Sequence, residues 1–292
     1  MARHKKVEDM DTRRTLGCFS HHKCASTWLE DIFRPICSEL GLRFATVYST
    51  VDFNNDLAGY LARTSTDFIC YSNADYKHLA GVRSLAGFHV VRDPRDIIVS
   101  AYFSHLKTHP RDAWPELVEY RRLLQSVSKH DGIMLEIDFR REQFREMRTW
   151  VGCSDDRLLE VRMEDLTAQP YQVVIDLTRH LGLLDEEHLG AVGRGRYLLS
   201  KVTGRIRRRA GIPLPTLLKR LPAERVLGIV WENDFAKKAD GRKKGEENTG
   251  SHYRKGVHGD WKNHLEGDHV RKIKNELNDL IMHYGYEVDD NW

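Results

Sequence analysis

Cysteine is scarce in this chain and unpatterned: five residues, an odd number, without a CxxC pair. That excludes the disulfide framework of a small secreted scaffold and fits a reducing compartment. Apolar runs are short as well, none reaching the roughly 18 residues that a membrane span needs. The opening segment MARHKKVEDMDTRR mixes acids with bases and lacks the apolar stretch of a signal peptide. A soluble, cytoplasmic protein is expected. Net charge nearly cancels, 46 Lys and Arg against 43 Asp and Glu for a formal +3, which argues against a nucleic-acid polymer as the main partner. The dipeptide Gly-Lys occurs nowhere. The chain therefore has no Walker A loop, GxxxxGK followed by Ser or Thr, and ordinary ATP or GTP turnover by a kinase or NTPase is disfavoured.

What is present suffices for one large domain: 292 residues, 40% hydrophobic and 30% charged, bury a sizeable core. Leu16, Cys18 and Phe19 mark a short buried strand, SHHK a polar turn, and STWLEDIFRPICSEL a helix with Trp28, Ile32 and Phe33 at helical spacing and Gly41 as its stop. DFICYS (Asp67 to Ser72) and GFHVV (Gly87 to Val91) are further strands. The latter runs into RDPRD and a helix carrying Ile97, Ile98, Ala101, Tyr102 and Leu106. Pro115 to Trp150 is charge-rich and helical in pattern, DRLLEVRMEDL leaves the sheet as a strand, and PYQVVIDLTRHLGL is an amphipathic helix ending near Gly182. Helices are also expected over Leu214 to Leu221 and His269 to Tyr284. Strands alternating with helices imply an α/β fold, a single domain over 1–292 with a central parallel sheet flanked by helices. Outside that pattern stand the polar tail 1–14 and two expected mobile loops, 188–222 and 240–256. The first loop holds Arg194, Arg196, Lys201, Arg205, Arg207, Arg208 and Arg209 and no acid.

Three segments carry chemistry. A loop between a buried strand and a helix offers free backbone N–H groups and the positive helix end, a ready anion site. HKCASTWL is such a loop, with Lys23 at its apex and the Ser26 and Thr27 hydroxyls at the helix start. A solvated lysine with a Ser/Thr helix cap is the plainer alternative. HVVRDPRDIIVS sets Arg92 at a strand end and Ser100 in the following helix, placed for a second phosphate. The alternative is an Arg92 ion pair with Asp93 or Asp96, with Pro94 opening the helix. HYRKGVHGDWKNHL gathers Arg254, Lys255, Lys262 and glycines around Trp261. Glycine beside basic residues lets backbone approach a phosphate, although a charged surface loop has the same composition.

In this order and at these separations the segments resemble the PAPS-dependent sulfotransferase family, whose cytosolic members share a P-loop-like α/β fold. HKCASTWL looks like that family's 5′-phosphosulfate loop, usually written KxGTTWL; VVRDPRDIIVSAYF looks like its 3′-phosphate segment, and RKGVHGDWKN matches its RKGxxGDWK signature. The resemblance runs from about Leu16 to Leu265. It implies a sulfuryl transfer from 3′-phosphoadenosine 5′-phosphosulfate (PAPS) to a hydroxyl or amine, without a metal, releasing PAP. It also implies Lys23 on the 5′-phosphate and bridging oxygen, Ser26 and Thr27 on phosphate oxygens, and Trp28 and Phe235 beside the adenine. Arg92, Ser100, Arg254, Lys255 and the Gly256 backbone would hold the 3′-phosphate.

The sequence departs from the family pattern at several positions. Cys24 and Ala25 stand in the first loop where the family has a small residue and glycine, so Cβ atoms must be tolerated there. Met163 replaces a tyrosine near the nucleotide. CYSNADY puts Asn73 where cytosolic members carry a catalytic histidine, and Asn cannot act as a base. Asp75 is the first substitute, ahead of His78, His22 and His105, with helix capping at Tyr76 as its other role. The acceptor is expected to be a small molecule, lipid or glycan, and an anionic one if the basic loop meets it. The resemblance names neither the acceptor nor an oligomeric state. Two rivals are a PAPS- or PAP-binding protein without transfer, and a zinc site of Cys18, His21, His22 and Cys24, whose ligand types suit the metal but whose spacing on a strand is poor.

Overall fold

The computed structural model describes residues 14–110, 114–186 and 218–292, together with Gly195, Tyr197, Leu199 and Thr203. The polar tail, and with it nearly all of the basic loop and the start of the helix expected from Leu214, lie outside the described residues. The end of that expected helix is not helical: Leu221 and Pro222 form a short strand, and Leu221 N donates to Leu183 O.

Strand β1 (Thr15–Ser20), helix α1 (Ser26–Leu40), β2 (Phe44–Val47), helix α2 (Leu57–Thr64), β3 (Phe68–Ser72), β4 (Leu85–Val91), α3 (Pro94–Phe103) and β5 (Leu158–Arg162) build one parallel sheet in the order β2-β3-β1-β4-β5. Between α3 and β5 lie α4 (Glu116–Ser126), α5 (Lys129–Phe139) and α6 (Arg141–Arg148). The three central strands are apolar on both faces and buried on both, which is the pattern of a parallel sheet covered by helices. On one face Phe33 of α1 stacks against Phe68 and Phe88, with ring centroids 5.0 and 5.3 Å apart. The other face buries Phe19, Ile69, Tyr71 and Trp150. Helix α1 stops where expected, with Gly41 in the left-handed region at φ 70°. Among the described residues no helix is long and apolar enough to cross a membrane.

The topology selects one crevice. The chain leaves β1 through α1 toward β2 on one side of the sheet order and leaves β4 toward β5 on the other. Adjacent parallel strands whose connections diverge leave a gap beyond their carboxyl ends, where α/β proteins bind ligands. The loops after β1 and β4 border that gap, and they hold Lys23 and Arg92.

Just under the crevice His21 and His89 share a 2.8 Å contact between their Nε2 atoms, and the His89 ring lies flat on Trp150 at 3.8 Å. Burial pushes His89 down to about 3 and His21 well below its usual value. Both stay neutral in the folded protein while the unfolded chain takes protons below pH 6.5, so stability is full above that pH and falls as the pH drops toward the folded value. Lowering the pH from 7 to 5 should cost about 2 kcal/mol through His89, and His21 adds to the loss in the same direction. Urea unfolding at the two pH values checks this, and an unchanged midpoint would refute it.

Candidate active site

The loop from His21 to Ala25 is held in shape by backbone. Cys24 N donates to His21 O at 2.9 Å, and Lys23 and Ala25 take left-handed conformations, φ 72° and 60°. Such a turn points consecutive N–H groups inward, as anion loops do. Neither Ser26 nor Thr27 caps α1; Ala25 is the N-cap, without a side-chain bond. The capping alternative therefore fails, and among the described residues both hydroxyls are without a partner. Ala25 strains the loop, because an L-residue in left-handed backbone costs roughly 1–2 kcal/mol. Replacing Ala25 by glycine should raise the unfolding free energy by about 0.5–1 kcal/mol once glycine's extra chain entropy is offset. Denaturant titration reads this directly. Cys24 is fully buried and burial pushes its thiol up to about 12, so it is no nucleophile.

Arg92, at the end of β4, is buried and donates from Nη1 to Lys23 O at 2.9 Å. It pairs with neither Asp93 nor Asp96. Asp93 caps α3 and binds Arg95, whose guanidinium lies between Trp261 (4.1 Å) and Trp292 (4.5 Å). Pro94 opens the helix at its first turn as expected. Ser100 lies two turns on, half-buried.

Asp96 joins the second segment to the third. Its carboxylate accepts Gly259 N at 2.6 Å and Trp261 N at 3.0 Å, fastening the RKGVHGDWK stretch to the start of α3. Within that stretch Arg254 and Lys255 are mostly covered and both reach Asp260, each at 2.6 Å; Arg254 also pairs with Glu247. Their cationic neighbours hold the Asp260 carboxyl well below its usual range although burial works the other way. Gly256 sits at φ 68°, and a Cβ there would lie 2.5 Å from the Phe235 ring. Only glycine lets this aromatic rest on the backbone. Trp28 donates from its indole to Asn233 O at 2.8 Å, two residues before Phe235, so both aromatic residues expected beside the adenine belong to one patch.

Lys23 is half-buried at the centre of these segments, and among the described residues its ammonium has no partner. Burial, then Arg92, Arg140 and Arg254, lower its pKa to about 7, with buried Glu136 opposing. Cations gathered around one lysine in this way can receive an anion. Arg140 was not recognised in the sequence. It lies in the charge-rich run DFRREQF, which gives no periodic or motif signal, yet it is fully buried; it bonds His22 Nδ1 and donates to His22 O at 3.3 Å. Its Nε has no partner among the described residues.

Two expectations fare differently. Asp75 faces its own turn: its carboxylate accepts Lys77 N at 3.0 Å and pairs with Lys77 Nζ at 2.5 Å, the capping role. Asn73, in left-handed backbone at φ 56°, clamps the loop by accepting His22 N at 3.0 Å and donating to Tyr48 O at 3.4 Å. Nor do Cys18, His21, His22 and Cys24 form a zinc site, because the two imidazoles turn to His89 and Arg140 respectively. Glu247, Asp260 and His264 do come within 4.8 Å of one another, but the Arg254 guanidinium already bridges the first two.

No protein-family model matches the chain, and no curated protein does. Solved structures do. Mouse sulfotransferase SULT7A1, crystallised with PAP, superposes with a TM-score of 0.55 at 14% identity over 94% of this chain and 86% of its own. The fold is that of the sulfotransferases. Retinol dehydratase in complex with androsterone and inactive cofactor PAP matches 94% of this chain and 82% of its own, at a TM-score of 0.45 and 12% identity. In this sulfotransferase fold the parallel sheet, the β1 loop and the β4 loop stand as the sequence implied.

Proposed function

We propose that the chain is a PAPS-dependent sulfotransferase, transferring the sulfuryl group to a hydroxyl or amine of a small-molecule, lipid or glycan acceptor and releasing PAP. One observation carries the reading. Segments far apart in sequence, matching the family's donor-binding motifs, meet at the carboxyl edge of the sheet and are bonded to one another, Arg92 to the Lys23 carbonyl and Asp96 to the amides of Gly259 and Trp261. In this reading Lys23, Ser26 and Thr27, with the amides around Cys24 and Ala25, receive the 5′-phosphosulfate. Arg92, Ser100, Arg254, Lys255 and Gly256 receive the 3′-phosphate, and Trp28 and Phe235 flank the adenine. The residues present fit the co-substrate: hydroxyls without a partner among the described residues and a depressed lysine suit a phosphate, and a glycine in contact with an aromatic ring suits the base. PAPS brings the activated sulfuryl group. The protein contributes alignment and positive charge for the departing phosphate, which together supply most of the acceleration in such transfers.

The clamp made by Asn73 favours a second reading, PAP binding without transfer, because nothing at that position accepts a proton. Labelled PAPS incubated with the protein and a small-molecule extract separates the two. A labelled product identified by mass supports transfer; PAP binding with no product supports the alternative.

A further inference from the structure

Sulfuryl transfer to an alcohol releases a proton, and neither Asn73 nor Asp75 is placed to take it. The end of α3 offers another group. After Phe103 the backbone widens into a π-helical turn over Ser104–Thr108, a geometry that re-aims side chains and recurs at functional sites. It brings His105 and His109 to the His22 ring on the Lys23 loop. Centroids are 5.2 Å apart for His22 and His105, 5.2 Å for His22 and His109, and 5.7 Å for His105 and His109. Trp114 lies 5.8 Å from His109 and closes the group.

The hydrogen bonds determine which nitrogens carry protons. Arg140 only donates, so His22 accepts at Nδ1 and its proton is on Nε2. Glu136 draws the His105 proton to Nδ1, 3.1 Å away. The Pro110 carbonyl only accepts, so His109 Nδ1, 3.0 Å from it, carries the proton and Nε2 bears the lone pair. His105 Nε2 has a lone pair too, but that side chain is fully buried. His109 is half-buried, its carbonyl anchored by Arg121 Nη2 at 2.8 Å.

We propose that His109 Nε2 is the general base of this site, taking the acceptor's hydroxyl proton in the role that Asn73 cannot fill. The inference rests on the sulfotransferase reading. In the step, the acceptor oxygen bonds to sulfur and the bond from sulfur to the phosphate oxygen breaks. Its electron pair leaves with PAP, and the proton passes to His109. The charged and titratable groups facing His109 are Lys23 and His22 on the loop, His105 on its own segment, Arg121 on α4 and His252 in the C-terminal stretch. Burial, then His105, Lys23 and Arg121, keep its pKa below the usual imidazole value against the Pro110 bond, so it is unprotonated at neutral pH.

The test uses labelled PAPS with the small-molecule fraction of a cell extract as the acceptor pool, comparing wild type, His109→Gln, and His109→Ala with and without added imidazole. His109→Gln should lower product formation by about 10²-fold, flatten the acid limb of the pH profile and leave PAP affinity unchanged. Imidazole should partly restore His109→Ala. Wild-type turnover and pH profile in His109→Gln would overturn the proposal, as would loss of PAP binding in parallel with turnover. A wild-type protein that binds PAP and forms no product fails the sulfotransferase reading itself, and that failure is seen before any variant is compared.

Discussion

Lys23→Ala is expected to lower kcat for sulfuryl transfer by about 10³-fold, the loss that follows removal of one preorganised donor to a developing oxyanion. Lys23 has left-handed backbone, its own carbonyl is held by Arg92, and its ammonium has no partner among the described residues. In the proposed reading that charge serves the leaving phosphate. The same position makes binding depend on pH. Lys23 titrates near 7 in the free protein because it is buried among Arg92, Arg140 and Arg254. A bound phosphate raises that value, so binding takes up a proton above pH 7, and PAP affinity should fall about tenfold per pH unit there. Lys23→Arg keeps the charge at every pH and should abolish this slope. Calorimetry with PAP from pH 6 to 9 measures it. Normal turnover in Lys23→Ala, or a flat profile in wild type, would contradict the assignment.

The parts of the site that could be read from sequence are those governed by local chemistry. Gly41 at φ 70° and Pro94 at the first turn of α3 end and open helices by their own backbone restrictions. Strands β1, β3 and β4 are mostly apolar and almost wholly buried because helices cover both faces, and their boundaries moved by only a residue or two. The three candidate segments are visible because each concentrates basic, hydroxyl or glycine residues within a few positions. What was missed depends on partners remote in sequence. Strand β2 is four half-buried to buried residues at the sheet edge, too short to show a period. Asp96 looked like a partner for Arg92 and instead binds amides more than 160 residues away. Arg140 and Glu136 are charged residues within a charged helical stretch, and they are buried against partners remote in sequence, Arg140 on His22 and Glu136 on His105 and Tyr120. Asp75 has two readings in the sequence, base or cap, and its local bonds are those of the cap.

Arg92→Ala should have the opposite kinetic signature to Lys23→Ala. Its guanidinium is buried and ties the β4 loop to the β1 loop through Nη1, and in the proposed reading the rest of its fork receives the 3′-phosphate. Truncating one partner of a buried, hydrogen-bonded charge pair costs about 2–5 kcal/mol of binding, so PAP affinity should fall by at least about 30-fold, with kcat at saturating PAPS largely retained. Arg92→Lys keeps charge without the planar fork and should lie between the two. Removing Arg92 also removes the foremost cation acting on Lys23, so the pH at which PAP affinity begins to fall should rise above the wild-type value. Because Arg92 positions the Lys23 carbonyl as well as a phosphate, the double variant should lose less than the sum of the single losses. Strict additivity would mean that the two loops act independently and that the bond between them has no part in holding the donor.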